Sequence, residues 1–241
     1  MTSRILTGAL IAGLVAGFLA AVLNLWTLTP LILRAEVFET AAAASPHDHG
    51  AAEVHIHADG AEHVHEASHE GTGALDRGLG TVAMTLVAYA GFGLVLGAGM
   101  AAAARNGHRL DARAGLLWGL AGFAAVQLAP AVGLPPELPG MQGADLAARQ
   151  SWWVLCVGAT AGGLAALAFG RGLPWLVLGA ALILLPHALG APQPPGHESL
   201  VPPTLSAAFA TRSLGVAALS WAALGALAGL LSERVPARHP A

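Results

Sequence analysis

The stretch ILTGALIAGLVAGFLAAVLNLWTLT, residues 5–29, runs for about 25 residues without a charged side chain. A helix needs only about 20 residues to cross roughly 30 Å of hydrocarbon at 1.5 Å per residue, so this run is long enough to span a bilayer. It also exceeds the apolar core of a signal peptide, about 7 to 15 residues. Small residues at 41–44 would suit cleavage, but a run of this length is expected to stay in the chain as a membrane helix. Comparable apolar runs follow at 79–104, 114–133, 151–169, 173–189 and 213–231. The run at 173–189 is short and opens near Pro174, a residue tolerated in a first helical turn because its missing N–H would be unpaired there. Six crossings follow if it is counted and five if it is not. The expected fold is therefore all-α: a polytopic integral membrane helix bundle of five to six transmembrane helices. Residues 1–33 would form the first transmembrane helix, 34–78 a His-rich extramembrane loop, and 79–241 a bundle of four to five further helices.

Composition leads to the same class. Of 241 residues, 55% are apolar and only 10% charged. A soluble protein of this length would be nearer a quarter charged, so most of this surface faces lipid. The chain has no lysine, and its arginines are unevenly placed. With six alternating crossings, Arg4, Arg105, Arg109, Arg113, Arg171, Arg234 and Arg238 fall on one side, and Arg34, Arg77, Arg149 and Arg212 on the other. Short arginine-rich connections stay cytoplasmic, which puts both termini inside and the 34–78 loop on the periplasmic or extracellular face of the inner membrane. The lone cysteine, Cys156, excludes an internal disulfide and any CxxC site, leaving metal chemistry mainly to nitrogen and oxygen. There is no GxxxxGK[ST] loop, so no nucleotide-binding site is expected. No organic cofactor and no nucleic-acid partner are called for either. Small-x-x-x-small pairs at Gly13/Gly17, Gly93/Gly97, Gly115/Gly119, Gly158/Gly162 and Gly225/Gly229 are expected to mark close helix contacts.

Seven of the eleven histidines crowd into one segment of the loop. Laid out in eights it reads HDHGAAEV, HIHADGAE, HVHEASHE, so His-x-His recurs at His47/His49, His55/His57 and His63/His65, with His69 at the end. Imidazole is neutral and available near pH 7 and binds Co, Ni, Cu and Zn. In an extended chain, side chains at i and i+2 share a face, so each pair can put two nitrogens on one ion. Nine of the fourteen acids also lie between the first two apolar runs, adding oxygen ligands and a field that concentrates cations. The loop chemistry points to a divalent transition metal without choosing among Co²⁺, Ni²⁺ and Zn²⁺.

Polar residues within apolar runs are costly and therefore candidates for function. Asn24, Met84, Gln127 and Cys156 are expected at similar depth, about 8 Å inside the outer helix ends, with His187 slightly shallower. Together they form a candidate ion pathway offering oxygen, sulfur and nitrogen. Glu137, Asp145 and His197, in the outer loops, are candidates for its mouth.

Several phrases are more specific: QLAPAVGLPPELPGMQGADLAARQSWW at 127–153, LPHALGAPQPP at 185–195 and VPPTLSAAFATRSL at 201–214. With the opening helix and the histidine-bearing loop, they resemble the CbtA family, the probable cobalt transporter subunits. The resemblance runs through nearly the whole chain, and its most specific parts are residues 133–140, the Arg149-Gln150-x-Trp152-Trp153 group, and Pro186-His187 with Gly190-Ala191-Pro192. It implies import of Co²⁺ for cobalamin biosynthesis, beside a small His-containing membrane partner, CbtB. It also makes His187 the leading single pathway residue. The family is usually described with five membrane segments, whereas the arginines here favour six.

Two other functions compete. A metal exporter would protect cells from excess metal, where an importer sensitises them. A membrane metalloenzyme would need about three fixed ligands or a nucleophile with its base. Ser151, Ser213 and Ser220 have no evident histidine partner, so the chain is expected not to be an enzyme.

Overall fold

In hydrocarbon every backbone amide must find its partner within the protein, so long apolar runs become helices. A computed structural model describes residues 2–43, 74–196 and 199–233 and is helical throughout, with no strand among them. The elements are α1 (Thr2–Leu23), a π-helical segment (Asn24–Leu28), α2 (Thr29–Ala43), α3 (Ala74–Arg105), α4 (Ala112–Phe123), a second π segment (Ala124–Leu128), α5 (Ala129–Gly133), α6 (Leu146–Phe169), α7 (Leu173–Leu189) and α8 (Pro203–Glu233). The first three run on without a break, as do α4, the second π segment and α5.

Five helical stretches are long and apolar enough to cross a membrane: Thr2–Thr40, Asp76–Arg105, Ala112–Gly133, Leu146–Phe169 and Pro203–Glu233. The sixth, α7, has 17 residues, about 26 Å of helix. Although short, it runs back along α6. The Trp152 indole N–H, near the start of α6, donates to the Pro186 carbonyl near the end of α7 at 3.2 Å. Farther along, a Cβ placed on Gly163 would lie 2.7 Å from the Gly179 carbonyl.

The other neighbours are antiparallel as well. Gly17 of α1 faces Leu86 and Tyr89 of α3, while Gly97 faces Ala9. Gly115 of α4 lies against Gly229 of α8, Gly119 against Gly225, and Gly8 of α1 against Leu231. Thr2 and Glu233 consequently sit at one end of the bundle, together with the α3–α4 and α6–α7 connections. Ala43, Ala74 and the 134–145 and 190–202 connections lie at the other, here called the platform end.

The main core joins Ile5, Ala9, Ala12 and Ala16 of α1 to Tyr89, Leu96 and Met100 of α3 and Trp221, Leu224 and Ala228 of α8. Small α1 side chains let the larger ones of α3 and α8 approach. At the platform end the helix runs on to Ala43, past the expected boundary at residue 33. A second core explains the extension: Leu31 and Ala35 of α2 pack with Leu138, Val201 and Phe209. Arg77 also binds both carboxylate oxygens of Glu36, at 3.2 and 3.3 Å, tying α2 to α3.

Candidate functional site

The two π segments share one sequence logic. Each begins six residues before a proline, in NLWTLTP (24–30) and AAVQLAP (124–130). Proline has no N–H, and its ring crowds the carbonyl four residues earlier, so a regular ladder cannot continue through it. The chain relieves the crowding by a wider turn: the Thr29 N–H bonds Asn24 O, and the Ala129 N–H bonds Ala124 O, each five residues back. The Thr29 hydroxyl donates to Asn24 O as well, at 3.3 Å. Such turns are rare and recur at functional sites, because they present backbone and side-chain groups that a regular helix would hide.

Asn24 lies in the first π segment and Gln127 in the second, both half-buried. Helix α8 packs against both segments. Counted along the antiparallel helices from the Gly8–Leu231 and Gly122–Trp221 contacts, the two amides come level with about residues 215 and 216 of α8. Gln127 and Cys156 are likewise level: Gly133 abuts the Trp152 ring, and the two residues lie about 9 and 6 Å inward of that contact.

Cys156 is fully buried, and one turn on, beside its thiol, Thr160 is 3% exposed. His187 is half-buried in the last turn of α7, its ring edge-on to Trp152 with centroids 6.1 Å apart. Met84 does not join this layer: it is 71% exposed on α3. No group of three or more His, Cys, Asp or Glu is gathered among the described residues. Single groups are what the bundle offers there: amide, hydroxyl, carbonyl and sulfur, with His187 supplying one imidazole. His47, His49, His55, His57, His63, His65, His69 and His197 lie outside the described residues.

At the platform end Glu137 accepts from Arg149 at 2.6 Å, both side chains about 30% exposed. Gly143 leaves room for this pair, since a Cβ there would stand 2.7 Å from the guanidinium. The two residues border an open cleft of about 420 Å³, with Leu134, Pro135, Gln150 and Trp153. Asp145 caps α6 instead, accepting from the Ala148 N–H at 2.9 Å. Its carboxylate thereby satisfies an amide that the helix start leaves unpaired. The Arg149-Gln150-x-Trp152-Trp153 group and residues 133–140 thus close the platform end around α6: one pair of charges, one indole hydrogen bond and one apolar contact through Leu138.

Sequence reasoning missed the π turns, although the prolines six residues on were their signal. It also missed Thr160, Ser213, Ser220 and Trp221 as residues whose side-chain polar atoms are buried. Nothing in composition marks those, because which side of a helix is buried depends on its neighbours.

The family model described as "Probable cobalt transporter subunit (CbtA)" matches residues 2–233. No curated protein and no solved structure matches the chain.

Proposed function

We propose, from the premise that the chain belongs to the CbtA family of probable cobalt transporter subunits, that it carries Co²⁺ inward across the inner membrane. The platform end faces outward, and the histidine segment, His47 to His69, gathers the ion there. The ion then passes the level of the two π turns, where Asn24, Gln127, Cys156 and His187 offer ligands in place of part of its water. The observation that supports this reading best is the pairing of Asn24 and Gln127 on matched π turns against one helix, α8, in a chain whose family is one of cobalt transport. The histidine segment connects Ala43 to Ala74, both at the platform end, so captured metal starts on the side from which the π turns are nearer. Two of the platform arginines, Arg77 and Arg149, are paired with Glu36 and Glu137. By count, Arg4, Arg105, Arg109, Arg113 and Arg171 fall at the opposite end against Arg34, Arg77, Arg149 and Arg212 on the platform side, which favours the opposite end as cytoplasmic. Being a subunit, the chain works with a partner, for which a small His-containing membrane protein resembling CbtB is the candidate.

Capture and passage separate experimentally. Several weak sites on one segment raise the local ion concentration without setting the barrier to crossing. Deleting residues 47–69 is expected to lower cobalt uptake at scarce metal and to leave uptake at saturating metal near wild type, at matched membrane expression. Loss of uptake at every concentration would mean that the loop, not the bundle, performs the essential step.

A further inference from the structure

Two clefts border α6, one near each end, and their charges differ. In the platform cleft Arg149 is held by Glu137. The second is a groove of about 540 Å³ between α6 and α7 at the opposite end. Gly162 and Ala165 of α6 and Leu178 and Leu182 of α7 line it, with Arg171 and Trp175 where the chain passes from one helix to the other. Arg171 is exposed and makes no ion pair among the described residues.

The sequence FGRGLPW, 169–175, builds the mouth of this groove. Gly170 has no Cβ to collide with the Trp175 side chain, which can therefore close over the end of α6. Gly172 takes φ 85°, a left-handed conformation open to glycine, and turns the chain into α7. Arg171 stands between them, on the turn. From Gly170 down to Gly162 the groove follows α6 for about 12 Å. A Cβ on Gly162 would come no nearer than 3.8 Å to Leu182, and one on Gly158 would meet nothing within 4 Å. The other four small-residue pairs are filled by helix contacts within the chain, whereas this one leaves its side of α6 open.

A guanidinium and an indole at the membrane surface, above an apolar groove, match the two halves of a phospholipid: phosphate above, acyl chain below. The charge of the whole end fits an anionic head group. Arg4, Arg105, Arg109, Arg113 and Arg171 lie there against Asp111 and Glu233 among the described residues. The α3–α4 connection that carries Arg109 reaches the groove itself, since the His108 ring meets that of Phe169, a lining residue, with centroids 5.1 Å apart. Basic pockets between membrane helices are where anionic lipid head groups bind.

We infer that the groove between α6 and α7 holds an anionic glycerophospholipid, its phosphate on Arg171 and an acyl chain along Gly162, Ala165 and Leu182. A zwitterionic lipid carries an ammonium group that this arginine-rich end repels, so the site selects by charge. The inference is independent of the direction in which metal moves.

Native mass spectrometry of the detergent-purified full chain, offered equal amounts of dioleoylphosphatidylglycerol and dioleoylphosphatidylcholine, reads which lipid is retained. Phosphatidylglycerol is expected in about tenfold preference, and Arg171→Gln should lose that preference, one charge-assisted bond being worth about tenfold in affinity. Arg4→Gln removes the same charge from the same end outside the groove and should retain the lipid like wild type. Gly162→Leu and Ala165→Leu fill the groove from exposed positions; both should lose the lipid while unfolding at the wild-type midpoint in its absence. If one of them unfolds early, the other decides. Wild-type retention by Arg171→Gln overturns the inference, and so does an equal loss in Arg4→Gln, which would mean a diffuse attraction. Retention by a well-folded leucine variant overturns it as well, because no acyl chain would then occupy the groove. A wild-type dimer that Gly162→Leu dissolves would assign the groove to a second copy of the chain instead.

Discussion

Trp152 shows how one side chain can fix a local architecture. Its indole N–H is buried and donates to the Pro186 carbonyl, while its ring edge abuts Gly133, so α5, α6 and α7 meet at one residue. The Pro186 carbonyl also accepts the Gly190 N–H, at 3.1 Å, so the indole is the second donor on an oxygen with two lone pairs. Trp152→Phe keeps the ring and deletes the bond. It is expected to destabilise the detergent-purified protein by about 1 kcal/mol, the net worth of one hydrogen bond whose acceptor keeps its other donor, the Gly190 N–H. Unfolding at the wild-type midpoint would remove the bond from the account. The sequence marked Trp152 only as part of a phrase resembling a family. At the same scale Asp145, a candidate for the mouth, caps α6, and Met84, a candidate for the pathway, is 71% exposed on α3. A carboxylate or thioether has the same identity in either role, and only the backbone around it decides.

At the scale of elements, glycine sets how close helices come. Gly115 and Gly119 of α4 meet Gly225 and Gly229 of α8 so closely that a Cβ on any of the four would collide with the opposite backbone. Backbone cannot move aside as a flexible side chain can. Gly225→Ala is therefore expected to separate the pair and cost about 1–3 kcal/mol, the usual penalty of overpacking. Gly158→Ala serves as its contrast: a Cβ there meets nothing within 4 Å, so the same change should keep or raise the unfolding midpoint, alanine being the better helix former by about 0.5–1 kcal/mol. Equal effects at the two positions would refute the close-contact argument.

The apolar runs located the long helices well, because lipid admits little besides an apolar helix. The small-residue pairs located the tight contacts at Gly13/Gly17, Gly93/Gly97, Gly115/Gly119 and Gly225/Gly229, but Gly158 stands open. The extension of α2 to Ala43 was hidden, since RAEVFET reads as polar and its helix is held by a second core made from distant segments. The π turns were hidden for another reason: a shift of the hydrogen-bond ladder by one residue leaves hydropathy unchanged.

The molecule as a whole is an antiparallel bundle whose first and last described residues share one end. Sequence counting left five or six crossings open. Five stretches meet the length of a bilayer, and the shorter α7 runs beside α6 in the opposite direction, which returns the chain to the platform end before α8 begins. The same arrangement gathers α2, the connections around α6 and the first turns of α8 into a platform from which the histidine segment departs. Two matched π turns then lie against α8 beneath it. The central claim is that this arrangement brings cobalt into the cell. Its most direct measurement is total cell cobalt, by elemental analysis, with and without the chain across trace external Co²⁺. The account predicts more cobalt in cells that carry the chain, with greater sensitivity to excess metal; less cobalt, with protection from excess, would contradict it and identify an exporter.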